Sequence, residues 1–261
     1  MLLENNNAVI YGAGGAIGGA VARAFAREGA TVFLAGRTQA TLDPVATEIS
    51  DAGGTAYTAV VDALDEQAVE DHIGSVADAG GRVDVLFNAI GMHDIQGTPL
   101  LDMSVDDVVG PTGVALRTQF LTARAAARRM VGQRAGVILT VTAGPARQAT
   151  PLIGGFGVSC EAIEGLWRTW AAELGQHGIR VVCLRSAGSP DTPAIQGVAE
   201  LHAAAAGVTS EQFVADLGRG TLLGRLPLVA EVANAAALLA SDHASALTGT
   251  YINVTCGSLV D

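Results

Sequence analysis

The sequence predicts one α/β domain, a doubly wound parallel sheet with helices on both faces, and three observations carry that expectation. Short, nearly unbroken apolar runs alternate with longer Ala-rich helical stretches from one end to the other. A glycine-rich turn joins the first apolar run to the first helical stretch. With 261 residues, 49% hydrophobic and only 16% charged, the chain can bury a sizeable core. No internal repeat or linker divides it, so residues 1–261 form a single domain.

The elements follow in order. Residues 8–11 read as a first strand and, after the glycine turn, 17–28 as a helix. A second strand (31–35) precedes a helix over 39–52, and a third strand (55–61) precedes a helix over 65–79. Residues 83–87 form a fourth strand. The helical stretch 104–131 follows, with Gly110, Pro111 and Gly113 expected to interrupt its beginning. Strand 137–141, helix 155–174, strand 179–184, helix 230–241 and strand 250–254 complete the pattern. Two segments break the rhythm: a loop over 91–102, and an insertion over 186–226 in which 194–205 and 211–217 read as small helices. Both leave the carboxyl ends of strands, where ligands bind in parallel sheets.

Composition excludes several functions. All 15 basic residues are Arg, so no mechanism needing a catalytic ammonium is available, and Tyr occurs only at 11, 57 and 251. A formal charge of −11 with scattered Arg argues against a nucleic-acid partner. No apolar run is long enough to cross a bilayer, and the polar start, Met1 to Asn7, does not read as a signal peptide. Cys160, Cys183 and Cys256 cannot all pair and show no metal-ligand spacing. His72, His177, His202 and His243 are dispersed, so no metal site is expected. A reducing, cytoplasmic setting is the expectation.

The turn Gly12-Ala13-Gly14-Gly15-Ala16-Ile17-Gly18 suits a pyrophosphate, because glycine lets backbone amides and the positive end of the helix approach it closely. Arg37 follows the second strand, and no acidic residue lies between Thr31 and Leu42. A guanidinium there favours the 2′-phosphate of NADP, whereas NAD-selecting folds usually place a carboxylate. Asp62, just past the third strand, can accept from an adenine amino group or cap the following helix.

With Asp62-Ala63, Asn88-Ala89-Ile90-Gly91, Ile179-Arg180-Val181, Ala240-Ser241-Asp242 and Leu247-Thr248-Gly249, the chain resembles the short-chain dehydrogenase/reductase family over essentially its whole length. The resemblance implies a Rossmann-type sheet of about seven strands in the order 3-2-1-4-5-6-7, a small-molecule substrate and a homo-oligomer, tetramer or dimer. It also implies cofactor contacts from Gly12, Gly14, Gly15, Ile17, Gly18, Arg37, Asp62, Ala63, Asn88, Ala89, Gly91 and Thr192. Ala16 departs from the family's middle glycine, and Ser186-Ala187-Gly188 replaces its usual Pro-Gly.

The catalytic positions depart further. Phe156 and Cys160 stand where the family has its Tyr-x-x-x-Lys tyrosine and lysine, Ala143 where it has its serine, and Ala115 where it has its asparagine. In the family the tyrosine delivers a proton as hydride arrives, the lysine lowers its pKa, and the serine binds the developing alkoxide. Loss of general acid help costs about 10²–10⁴ in rate. Replacement candidates are His93, which can carry a proton near neutral pH, with Asp94 to orient it, and Thr142 as a weaker one. Each also reads as an ordinary loop or strand residue. Cys160 lacks a thiolate-stabilising neighbour in sequence. Arg147 and Gln148 can meet a polar substrate or solvent, and adjacent Asp106 and Asp107 face different directions on a helix.

The expected function is therefore an atypical NADP(H)-dependent oxidoreductase that passes hydride to a small apolar acceptor. The alternatives are a catalytically silent nucleotide-binding or partner protein of the same fold, or a non-redox enzyme reusing the pocket.

Overall fold

The computed structural model describes residues 1–260. Seven strands form one sheet: β1 (Asn7–Tyr11), β2 (Thr31–Gly36), β3 (Thr55–Val60), β4 (Val85–Asn88), β5 (Gly136–Ala143), β6 (Ile179–Ser186) and β7 (Thr250–Val254). Their order is β3-β2-β1-β4-β5-β6-β7, and every neighbouring pair is parallel. Helices α1 (Ala16–Arg27), α2 (Gln39–Asp51), α3 (Glu66–Gly80), α4 (Val105–Gln133) and α5 (Phe156–Leu174) are the crossovers. Helices α6 (Pro193–Ala206) and α7 (Ser210–Arg219) lie within the insertion, and α8 (Val229–Ala240) precedes β7.

Side-chain alternation along the strands divides the core in two. Ile10 and Leu34 pack with Phe25 of α1 and Val232 of α8 on one face. Val9, Tyr11 and Phe33 pack with Ile73 of α3, Met130 of α4 and Trp167 of α5 on the other.

Two expectations are corrected. The helix after the 91–102 loop is not interrupted: α4 runs unbroken through Gly110, Pro111 and Gly113. A capping box between Ser104 and Asp107 fixes its start ahead of the proline, so Pro111 removes one intrahelical donor without ending the helix. The fourth strand is Val85–Asn88, although the Asp84 backbone already bridges the neighbouring strands, donating to the Asn7 carbonyl and accepting from Val137 N. Val83 N donates to Gln133 Oε1, and the Asp84 carboxylate accepts from Asn7 N and pairs with Arg82.

A buried ion pair knits the second half of the sheet. Glu164 of α5 is fully buried and accepts from Arg185 Nε and Nη2 at 2.7 Å each, and from Thr142 Oγ1 at 3.0 Å. The Tyr251 phenol donates to the Glu164 backbone carbonyl, and the Arg185 guanidinium lies 4.5 Å above the Tyr251 ring. One carboxylate thus joins α5 to β5 and β6, and its backbone joins α5 to β7. Replacing Arg185 with Met leaves that buried carboxylate without its bidentate partner, and only the half-exposed Arg147, at 3.7 Å, remains near it. A loss of about 3–5 kcal/mol in urea unfolding is expected, with recovery when Glu164→Leu is added; an Arg185→Met variant as stable as the parent contradicts this role.

On the same face, the Tyr11 phenol lies 2.9 Å from His72 Nδ1. Burial pushes the His72 pKa down to about 4 and raises that of Tyr11, so the neutral phenol donates to a neutral ring. Because the folded His72 pKa lies below its unfolded value, the unfolded chain binds a proton that the native chain does not. Stability is therefore complete above about pH 6.5 and falls as pH drops toward 4, by about 3 kcal/mol in total. Urea midpoints measured across that window show the fall in the wild type and a shallower slope in His72→Gln; parallel profiles refute the assignment.

Candidate active site

The carboxyl ends of the strands gather the residues expected to hold a nucleotide. At the end of β1 the chain turns through Gly12 at φ +77, where a Cβ lies 2.5 Å from the Ala89 carbonyl oxygen. A Cβ on Gly18 sits only 2.2 Å from the Gly12 carbonyl. Only glycine permits this contact between the β1 turn, the first turns of α1 and the loop after β4. Gly15 is the N-cap of α1; no side chain caps it, and no acidic residue occupies the first turn. Among the described residues, the amino end of the helix thus carries no capping side chain and no acid in its own first turn, which fits a pyrophosphate. Gly14 packs on Thr41, and Ile17 packs against the core beneath α1.

Arg37 is exposed just past β2 and makes no side-chain hydrogen bond or ion pair among the described residues. Asp62 is exposed beyond β3 and accepts from Leu64 N at 3.0 Å. The cap of α3 is Asp65, not Asp62, while Ala63 is buried. Asn88 is buried, and both ends of its side-chain amide are hydrogen-bonded. It donates to Thr122 Oγ1 and accepts from Ile90 N and Gln119 Nε2, holding the Ala89–Gly91 turn against α4. Thr192 precedes α6 and donates its hydroxyl to the Ser189 carbonyl.

Ala143 and Cys160 are neighbours: Cys160 is wholly buried, and the Ala143 backbone acts on its sulfur. Burial pushes its pKa up to about 12; the Ala143 contact opposes the shift, and the charges of Glu164 and Asp94 add to it. At neutral pH this is a thiol, neither a cation nor a nucleophile. Phe156 is half-buried in the first turn of α5, and Ala115 is buried on α4. The two helices are joined nearby by a 2.8 Å hydrogen bond between Thr112 and Ser159 hydroxyls.

The proposed replacements are not brought together. Thr142 is buried on the α5 side with its hydroxyl donating to Glu164, 3.3 Å from Cys183 Sγ. His93 is exposed and makes no hydrogen bond or ion pair with Asp94. Asp94 is half-buried, and its Oδ2 accepts from Gln96 Nε2 at 2.7 Å. The Gln96 carbonyl oxygen in turn lies 3.0 Å from His202 Nε2 on α6, whose ring stacks on Phe213 of α7. Gln96 and His202 escape sequence reading, since 106 positions separate them and no spacing links a loop amide to a distant helix.

The loop after β4 is also clasped to the loop after β5. Gly97 N donates to the Leu152 carbonyl at 2.7 Å, and a Cβ on Gly154 falls 2.1 Å from the Ile95 carbonyl. Arg147 lies 3.6 Å from Glu161 and 3.7 Å from Glu164, and Gln148 donates to the Ser258 carbonyl. Asp107 belongs to the α4 capping box, so it and Asp106 form no carboxylate pair.

Comparison with known proteins agrees with this geometry. A family model described as enoyl-(acyl carrier protein) reductase matches residues 12–258. The oxidoreductase YxbG of Bacillus subtilis is 32% identical, over 98% of this chain and 91% of its own. A short-chain type dehydrogenase/reductase from Mycobacterium ulcerans superposes with a TM-score of 0.89 at 25% identity, covering 99% of this chain and 91% of that one. An NAD+-bound xylitol dehydrogenase shares the fold, with a TM-score of 0.91 at 24% identity over 98% of this chain and all of its own. The sheet order, the glycine cradle and these matches together place the chain in the short-chain dehydrogenase/reductase family of oxidoreductases.

Proposed function

We propose that this chain is an NADP(H)-dependent oxidoreductase that delivers hydride to a small, largely apolar acceptor without a tyrosine–lysine acid. The observation that carries the reading is the set Ala115, Ala143, Phe156 and Cys160 at the reacting end of an otherwise usable cradle. None of these side chains carries a positive charge at neutral pH, three have no exchangeable proton, and burial makes the Cys160 thiol too weak an acid to replace a tyrosine assisted by lysine; the sequence contains no Lys that a shifted register can supply.

The cradle residues have separate tasks. Gly12, Gly14, Gly15 and Gly18 bring backbone amides to the pyrophosphate, and Arg37 pairs with the 2′-phosphate of the adenosine ribose. Asp62 and Ala63 border the adenine, while Ala89, Gly91 and Thr192 border the nicotinamide half. A bound reduced nicotinamide supplies the hydride. The chain itself orients the acceptor and excludes water through the loops at 91–99 and 148–155 and through α6. Orientation alone lowers a barrier by about 7–11 kcal/mol in well-aligned cases. Acceptors that need no enzymatic acid fit best: an iminium already carries its charge, and an activated alkene can take its proton later from water.

A homo-oligomer, dimer or tetramer, belongs to the same reading. Val105, Val109 and Val114 of α4 and Val158 of α5 are exposed apolar residues suited to burial against a second copy. Three unpaired cysteines support a cytoplasmic setting, and no helix among the described residues is long and apolar enough to cross a membrane.

Titration with each nucleotide tests the cofactor assignment. Arg37→Ala is expected to weaken NADPH by about 10–100-fold, the worth of a charge-assisted bidentate contact, and to leave NADH nearly unchanged. Equal losses contradict the 2′-phosphate contact. NADPH oxidation is then followed with a simple ketone, a cyclic iminium and an enone. Turnover of the iminium or enone without the ketone supports the reading, and ready ketone turnover overturns it. Tight NADPH binding with no turnover indicates a silent binding protein, and failure to bind either nucleotide indicates a non-redox use of the pocket.

A further inference from the structure

We propose that Asp94 is the counter-ion for a cationic acceptor, an iminium or comparable onium group, and that Gln96 and His202 are positioning residues that hold its carboxylate. The inference rests on the reading that an acceptor lies beside Ala143, Phe156 and Cys160, and it names the acceptor's charge.

The charged groups near that end of the fold are not equivalent. Glu164 is matched by Arg185 in a buried bidentate pair, and Arg147 leans toward Glu161 and Glu164. Asp94 has no cation within ion-pairing distance among the described residues, although it is half-buried. Its Oδ2 accepts from Gln96, and its Oδ1 has no protein partner among them. The loop that carries it is seated on the segment just ahead of Phe156, with Gly97 N donating to the Leu152 carbonyl and Gly154 packed against the Ile95 carbonyl, which places it at the reacting end. The family's lysine position is thus a neutral sulfur with an uncompensated carboxylate nearby. A half-buried carboxylate in this situation favours an organic cation over a neutral ligand of the same shape.

The supporting hydrogen bonds have a fixed sense. A carboxylate only accepts, so the Gln96 amide nitrogen must face Asp94 and its carbonyl must face His202. His202 Nε2 therefore carries a proton and donates. His202 is held in turn by Phe213, stacked at 5.7 Å with 16° between planes. Helices α6 and α7 thus set the direction of a carboxylate on the opposite loop.

The chemistry balances without an acid. The iminium carbon accepts hydride with its electron pair from a reduced nicotinamide, and the C=N π pair moves onto nitrogen. The products are a neutral amine and an oxidised, cationic nicotinamide. No proton is required from the protein, and one positive charge persists near Asp94 on both sides of the reaction.

Calorimetric titration, with and without NADPH, compares N-methyl-3,4-dihydroisoquinolinium with neutral 1-tetralone, a ketone of similar shape. The wild type is expected to bind the cation about tenfold more tightly. Asp94→Asn keeps the acceptor for Gln96 and is expected to abolish that preference while changing the ketone and NADPH affinities less than about twofold. His202→Ala weakens the cation several-fold, and His202→Gln, whose amide can donate to Gln96, restores it. Equal affinity of the wild type for both probes, or an Asp94→Asn loss shared by both, overturns the proposal. Failure of the wild type to bind NADPH sinks the oxidoreductase reading instead, because the cation preference is also measured without nucleotide.

Discussion

The arrangement depends on one close approach of backbone to backbone. At the reversal in strand order, where β1 lies between β2 and β4, Gly12, Gly18 and Ala89 come within a distance that no side chain tolerates. That contact seats the amino end of α1 beside the loop after β4, at the reversal of strand order where open α/β sheets bind ligands. Asn88 secures it from below with three side-chain hydrogen bonds, while Ala89 N donates to the Tyr11 carbonyl. The placement of the nucleotide cradle and of the loop bearing Asp94 both follow from it. A methyl group at residue 12 or 18 must separate these segments before it alters any contact with a ligand.

At the reacting end, desolvation sets the charges. The interior rewards carboxylates only when a cation shares their burial. Glu164 meets that condition through Arg185, and Thr142 and Tyr251 complete the arrangement. The same burial keeps Cys160 protonated and His72 neutral. Asp94, by contrast, is a half-buried acid whose side-chain partner among the described residues is the neutral amide of Gln96. On the proposed reading, an acceptor there meets the Asp94 carboxylate and not the ammonium that a lysine at residue 160 would present.

Much of the fold was legible because parallel strands buried on both faces read as apolar runs and because glycine marks the nucleotide turn. The strand order came from resemblance, and every neighbour pair agrees with it. Legibility failed where a local signal competed with a longer-range one. Pro111 suggested an interruption, yet a capping box ahead of it and packing on α5 keep α4 continuous. Val83 looked like strand, but Gln133 takes its amide. In the site, His93 and Asp94 were adjacent in sequence and read as a pair. The partner Asp94 adopts is Gln96, because a loop residue two positions on can fold back onto a carboxylate. His202 and Arg185 carry no periodic or motif signature at all; their partners exist only once the chain has folded.

The polar side chains around the cleft join one wall to another instead of forming a proton-transfer chain. Gln96 links the loop after β4 to α6, Gly97 and Gly154 seat that loop on the one after β5, and Gln148 fixes the latter to the carboxyl-terminal segment at Ser258. A site that works by proton transfer needs a group whose pKa lies near the working pH, and burial moves Cys160 far from it. A site that works by orientation needs walls that do not move relative to one another, since even a displacement of about 1 Å costs roughly 100-fold in rate. Under the proposed function, the hydrogen bonds between these loops and helices serve the second requirement, and the one from Gln96 holds the Asp94 carboxylate in place.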